Sequence, residues 1–297
     1  MPASVVIQPG EKWEYILDKF SETGGLLITL GESDTGKSTF NRWLCNRLAI
    51  GGKTPAIVDC DMGQSDIGPP STIGLALVKT PFENFADLKI DGLWFTGSIK
   101  PSGHFLQGLT GAVRLTSKAH EMGASHIIVN TTGWIEGSGI FYKQHKIDAL
   151  RPSIIAAFEH DRELYPVTAP YRKTDEMSAV YLKPSPAVRL RKSDERRQLR
   201  KEKFDRYFQN AKLIAISTAK VGISGYGFFP EEARLVNQVI ALIDTKGDHR
   251  AIGTVKKFNS KTKTLEIAAD FSDNPSMIRR LHFENFRLNE EGDDYSG

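Results

Sequence analysis

The residues whose types and spacing could do the most chemistry stand between positions 31 and 39. Gly31, Glu32, Ser33, Asp34, Thr35, Gly36, Lys37 and Ser38 complete the pattern G-x-x-x-x-G-K-[ST], and Thr39 follows. Such a loop can wrap a triphosphate with its backbone N–H groups, helped by the positive end of the helix it opens. In that reading Lys37 reaches the β- and γ-phosphates and the Ser38 hydroxyl binds Mg²⁺. The bland alternative is a glycine-rich turn with a chance lysine. The flanks argue against it: Leu26–Leu30 reads as a strand, and Phe40, Leu44 and Leu48 fall four apart on one helix face.

A second cluster, Val58-Asp59-Cys60-Asp61-Met62-Gly63-Gln64, follows the apolar run Ala56–Val58. Asp59 and Asp61 are two apart, so an extended chain projects both to one side. Carboxylates at the end of a neighbouring strand can hold the shell of a Mg²⁺ ion or accept a proton from an attacking hydroxyl. Gln64 could orient that nucleophile. A turn merely rich in Asp and Gly is the competing reading.

These groups need a scaffold, and the rest of the chain supplies one. Gly25–Leu30, Ala56–Asp59, Gly92–Phe95, Ile127–Asn130, Ile154–Phe158 and Leu213–Ser217 read as strands, most of them continuous apolar runs as in parallel strands covered on both faces. Helical patterns span Lys37–Leu48, Gly103–Met122, Tyr142–Leu150 and Asp194–Gln209. The alternation predicts an α/β fold, a P-loop NTPase-like parallel sheet flanked by helices. From about Leu235 the texture changes to short runs around turn signals at 245–248 and 259–263, which predicts a small C-terminal antiparallel β unit. The expected division is therefore a P-loop domain over residues 1–234 and a β unit with a frayed acidic tail over 235–297.

Composition narrows the class. The 297 residues are 40% hydrophobic and 25% charged, which excludes disordered and fibrous chains. No run approaches the ~18 apolar residues of a membrane span, and no secretory signal is visible, so a cytoplasmic location is expected. Cys45 and Cys60 lack metal or redox spacing and read as buried thiols. Net charge is +3, but Ala187–Arg206 holds nine Lys/Arg against four Asp/Glu. Arg196, Arg200 and Lys203 share one helix face there, which suits a polyanion and is equally the pattern of a solvated charged face.

Taken together, GESDTGKST, VDCDMGQSDIGPPSTIG, VNTTGWIEGSG and LRKSDERRQLRKEKFDRYF resemble the polynucleotide 5′-hydroxyl kinases. That family includes the kinase subunit of the eukaryotic mRNA cleavage factor and the nucleolar kinase of ribosomal RNA processing. The resemblance runs from about Gly24 to Phe208. It implies ATP and Mg²⁺ as cofactors and, as substrate, single-stranded or end-exposed RNA or DNA with a 5′-hydroxyl. It implies that Lys37 and Ser38 serve phosphate and magnesium, with Asp59 or Asp61 completing the metal shell. Asp61 with Gln64 would activate the 5′-hydroxyl. Trp134, beside Thr132, would clasp the terminal nucleotide. Arg191, Arg196, Arg197 and Arg200 would form an arginine lid over about 191–208, and Lys100 and His104 would touch nucleic-acid phosphates. Two other readings stay open: a P-loop GTPase, with Thr245-Lys-Gly-Asp248 as a base-reading motif, and a non-catalytic nucleotide-bound scaffold.

Overall fold

The computed structural model describes residues 10–172, 177–186, 188–225, 232–289 and 294–295. The expectations for the leading residues and for most of the acidic tail lie outside them. In chain order the strands are β1 Gly25–Gly31, β2 Ala56–Cys60, β3 Thr72–Leu77, β4 Gly92–Phe95, β5 His126–Thr131, β6 Ile154–Phe158, β7 Ser178–Leu182, β8 Lys212–Ser217, β9 Gly222–Gly225, β10 Gln238–Ile243, β11 His249–Asn259, β12 Thr264–Ala269, β13 Arg280–Leu288 and β14 Asp294–Tyr295. The helices are α1 Glu11–Thr23, α2 Lys37–Ile50, α3 Phe105–Glu121, α4 Ser138–Leu150, the single turn α5 Tyr165–Thr168, α6 Ser193–Phe208 and the single turn α7 Glu232–Leu235. Two compact units emerge. The first comprises Met1–Cys60, Leu75–Lys89 and Ala112–Leu190, and the second Asp61–Gly74, Ile90–Gly111 and Arg191–Gly297.

In the first unit the strands run in the order β2-β5-β1-β6-β7, every pairing parallel. β2, β5 and β6 are buried along their whole length and β1 from Leu26 onward. That explains why their sequences are unbroken apolar runs: helices cover both faces, and no position is left for an outward polar side chain. Each Leu or Ile so buried stabilises the unit by about 1.5–3 kcal/mol. α1 is an element that the motifs and apolar runs of the sequence do not announce. It seats Ile16, Leu17 and Phe20, and its Trp13 ring meets Phe40 of α2 edge-on at 5.0 Å. The parallel arrangement brings the carboxyl ends of β1, β5 and β2 side by side, where ligands of such sheets bind.

The second unit is antiparallel at heart. β10 lies between β11 and β13, β12 extends the sheet from β11, and β8 pairs with β12. β10 shows how period-two geometry builds two cores from one strand. Ile240 and Leu242 enter a cluster with Val255, Leu265, Ile267 and Phe283, while Val239, Ala241 and Ile243 face Leu93, Phe95, Ile252 and Phe286. Phe204 of α6 joins the latter cluster, with Tyr207 and Phe208 packed beside it.

Two strands differ from their expected setting. The strand expected at Leu213–Ser217 is present as β8, but unlike most of the continuous apolar runs it is antiparallel, on β12, with Ile216 in the core and Leu213 66% exposed. β4 pairs with β11 antiparallel through Leu93 and His249. A short apolar run does not reveal which partner it will find. Both turn signals hold: Asp244 Oδ1 accepts from Lys246 N and Asp248 N, and Asn259 Oδ1 from Lys261 N and Thr262 N. Thr245–Asp248 is thus a hairpin turn between β10 and β11, which removes its appeal as a base-reading motif.

Candidate active site

In the first unit the phosphate loop joins β1 to α2. Gly31 has φ 149 and Gly36 φ 94, the second a left-handed cap that turns the chain into the helix. A Cβ at Gly31 would lie 2.7 Å from the Phe158 carbonyl oxygen and 2.9 Å from Thr35 Oγ1, so only glycine fits. Thr35 is buried and its hydroxyl donates to Glu32 O at 2.9 Å, which tightens the loop. Lys37, 6% exposed, donates from Nζ to Gly31 O at 2.9 Å and also to Glu32 O. The ammonium is therefore held over the loop rather than out in solvent. Ser33, Asp34 and Ser38 are half-buried; Glu32 and Thr39 are exposed. Helix geometry gives the first turn of α2 N–H groups with no intrahelical acceptor, the physical basis of anion binding there. The cradle, the lysine and the helix end fit a nucleoside triphosphate.

Behind the loop lies a buried polar network. Asn41, one turn after Lys37, donates to Thr29 Oγ1 at 3.2 Å, and Thr29 Oγ1 donates to Val129 O at 3.3 Å. Asn130 Nδ2 donates to Asp59 Oδ1 at 2.9 Å, with Asp59 1% exposed at the end of β2. Thr131 Oγ1 donates to Thr29 O at 2.7 Å. Lys143 of α4, itself 1% exposed, donates to Thr131 Oγ1 at 3.1 Å and to Thr132 O at 2.6 Å. Lys143 is missing from the sequence reading, because a lysine between Tyr142 and Gln144 has every mark of a solvated one.

The segment after β5 is drawn against the phosphate loop. A Cβ at Gly133 would lie 2.2 Å from Ser33 Oγ, so glycine permits this approach. Thr132 is buried and its Oγ1 has no hydrogen-bond partner. Trp134 is half-buried, its ring resting on Gly139 of α4, where a Cβ would come within 2.9 Å of the indole. The structure thus brings Ser33, Thr132, Trp134 and Asp59 to the carboxyl end of one sheet.

In the second unit Asp61 is half-buried, and its Oδ1 accepts from Gly63 N at 3.2 Å and Gln64 N at 3.1 Å, a side-chain-closed turn. Gly63 packs on the loop bearing Lys100: a Cβ there would sit 2.7 Å from Ile99 O. Gln64 Nε2 donates to Arg196 O at 3.4 Å, while its buried Oε1 has no hydrogen-bond partner. Arg191 precedes α6 and is exposed; Arg196 and Arg200 are half-buried and Arg197 is exposed. Glu195 Oε2 accepts from Lys192 N at 2.9 Å, fixing the first turn of the helix. At the other end Tyr207 OH accepts from Ile252 N at 3.1 Å, and burial pushes this phenol up to about 12. Lys100 is exposed; His104 is half-buried, with Nδ1 3.3 Å from Ser102 O. Lys203, read as part of the cationic face, is engaged with the segment 64–66 instead.

Comparison with known proteins supports one lineage. A family model described as the mRNA cleavage and polyadenylation factor CLP1 P-loop matches residues 31–210. A Pyrococcus furiosus protein named polyribonucleotide 5′-hydroxyl-kinase is 36% identical over 278 residues, covering 90% of this chain and 76% of its own. A Methanocaldococcus jannaschii protein of the same designation is 30% identical, covering 90% and 88%. A solved complex of Clp1p with Pcf11p aligns with a TM-score of 0.69 at 14% identity, covering 93% of this chain and 78% of that one, which shows a shared fold. The chain belongs to the CLP1 P-loop family.

Proposed function

We propose that the chain is an ATP-dependent polynucleotide 5′-hydroxyl kinase acting on RNA ends. The observation that carries the proposal is the setting of Asp61 and Gln64. One closed turn holds a carboxylate and a buried, unpartnered amide oxygen, and the same amide is bonded to the backbone of the arginine helix at Arg196. A scaffold needs no such combination, and a GTPase orients its attacking water with a glutamine and has no acceptor hydroxyl for a carboxylate to deprotonate. The relatives named polyribonucleotide 5′-hydroxyl-kinase point the same way.

In this reading the loop Gly31–Ser38 and Lys37 bind the triphosphate, and the Asp61 carboxylate takes the proton of the 5′-hydroxyl. That oxygen forms a bond to the γ-phosphorus as the bond to the β-phosphate oxygen breaks, releasing ADP. Arg196, Arg197, Arg200 and Arg191 stabilise charge on the transferred group. Trp134 stacks on the terminal base without reading its identity, with Thr132 beside it, and Lys100 and His104 contact the phosphates that follow. Among the described residues no cluster of three or more His, Cys, Asp or Glu could cage a metal. Mg²⁺ prefers one or two protein oxygens with water and substrate phosphates. Ser38 with Asp59 or Asp61 would hold it, and when bound it neutralises charge on the β- and γ-oxygens. Among the described residues no helix is long and apolar enough to cross a membrane.

The test is transfer of labelled γ-phosphate from ATP to matched RNA and DNA oligonucleotides with 5′-hydroxyl ends, beside Lys37→Ala. Label on RNA that vanishes in the variant is expected. Nucleotide hydrolysis without any labelled end would overturn the kinase reading in favour of the GTPase or scaffold.

A further inference from the structure

We propose that Lys203 is a positioning residue that fastens the arginine helix to the base-bearing turn, so that Asp61 and the arginines move as one body. This deepens the kinase reading and rests on it. The ammonium of Lys203 has three donors, and three acceptors stand around it: Gln64 O at 3.0 Å, Ser65 O at 2.6 Å and Asp66 Oδ1 at 3.0 Å. A lysine so engaged has no donor left for a phosphate. Of the cationic face expected from Arg196, Arg200 and Lys203, the third member therefore faces protein.

The attachment has two points. Lys203 grips residues 64–66, and Gln64 Nε2 donates to Arg196 O at 3.4 Å. Positions 196 and 203 are two helical turns apart, about 10 Å along the axis. One contact would leave a pivot, whereas two at that spacing fix an angle. The helix is also anchored on its own side. Phe204, next to Lys203, is 1% exposed among Phe95, Val239, Ile252 and Phe286, and Tyr207 is bonded to Ile252. Swinging the C-terminal half of α6 would expose Phe204.

The position of Gln64 passes directly to the base. Asp61 Oδ1 accepts from the N–H groups of Gly63 and Gln64, so displacing Gln64 reorients the carboxylate. The opposite side is closed by the Ile99 carbonyl, 2.7 Å from where a Gly63 Cβ would stand. The ion pair with Asp66 is partly exposed, with side chains 22% and 31% accessible, and such pairs contribute little by themselves. The positional information comes from the two backbone carbonyls, which a charge alone would not specify.

Full-length wild type, Lys203→Met and Lys203→Arg decide the matter by steady-state transfer to a 5′-hydroxyl oligoribonucleotide and by amide hydrogen exchange. Lys203→Met is expected to lower kcat by about ten- to a hundredfold, the scale of a misplaced catalytic group, with KM for ATP within about twofold. Lys203→Arg, which keeps charge and donors, should fall between the two. Exchange at residues 62–66 should rise at least about tenfold in the Met variant, with exchange in β1 and β5 unchanged. An active wild type alongside a Met variant whose kcat is unaltered overturns the proposal, as does a uniform rise in exchange throughout the protein. An inactive wild type would count against the kinase reading alone, and the exchange comparison would still settle whether Lys203 fastens the turn.

Discussion

The two units handle polar chemistry in opposite ways. In the first, the functional groups grow out of strands, and their support is buried: Asp59, Asn130, Thr131, Lys143 and Asn41 are all at most 5% exposed and bonded to one another, to strand backbone or, for Asn41, to the Thr29 hydroxyl. In the second, Asp61, Gln64 and the arginines stand on a turn and a helix that are half-buried or exposed, fixed by Lys203 and by Phe204 below. A buried network is unforgiving, because removing one member strands another without its hydrogen bond. A surface array tolerates the loss of a member structurally but loses chemistry. Substitutions in the buried network of the first unit should therefore show in stability, and those in the turn and helix of the second in rate.

The largest effect expected is that of Asp61→Asn. General-base catalysis is worth about 10²–10⁴ in rate, so kcat should fall by that range while ATP binding and the unfolding midpoint stay near wild type. Rapid-quench transfer with an ATP-binding titration would check both halves. A variant that keeps turnover would return Asp61 to a turn-closing role, which its bonds to Gly63 and Gln64 already fill.

Trp134→Ala crosses the comparison, being in the first unit yet only half-buried. Base stacking contributes about 1–3 kcal/mol per base, so KM for the oligonucleotide should rise by about five- to 150-fold with KM for ATP unchanged. If instead the protein melts early and RNA use is intact, the indole is packing on Gly139 and nothing more. Asn130→Ala should cost about 1–3 kcal/mol of stability, because buried Asp59 loses a donor 2.9 Å away. Denaturant unfolding measures this. An unchanged midpoint would break the claim that the first unit depends on its buried network.

The same contrast explains what could be read from sequence. β1, β2, β5 and β6 announce themselves because burial on both faces forces continuous apolar runs, and the phosphate loop follows from glycines whose φ values no other residue adopts comfortably. β8 carries a similar run yet alternates in the structure, since a pattern of five residues does not name its partner strand. β3 and β7 are hidden by proline-rich and charged neighbours. In the site, the motif residues were legible one by one. Lys143 and Lys203 were not, because a lysine's role is set by oxygens supplied from more than ten residues away in the chain.

The smallest expected effect concerns pH and the start of β5. His126 is 3% exposed, its ring edge-on to Phe20 at 5.2 Å, its Nδ1 2.8 Å from Ser125 Oγ and its Nε2 3.3 Å from Ser21 O. Burial holds its pKa below the ordinary 6.5, with Lys53 adding to the shift and the carbonyl of Ser21 opposing it. Between the lowered folded value and 6.5 the unfolded chain binds more protons at this site than the folded one, so stability rises with pH across that window. The contribution is fully present above 6.5 and is lost as pH falls through the folded value. Glu159, which burial pushes upward, acts with the opposite sign: its protonation as pH falls favours the folded state. The two are separated by comparing wild type with His126→Gln at about pH 7.5 and pH 5.5. Wild type should lose more stability on acidification than the variant, whatever constant penalty the substitution carries. Equal losses would mean that the histidine charges in place, and that the first unit is less tightly closed at the start of β5 than its burial implies.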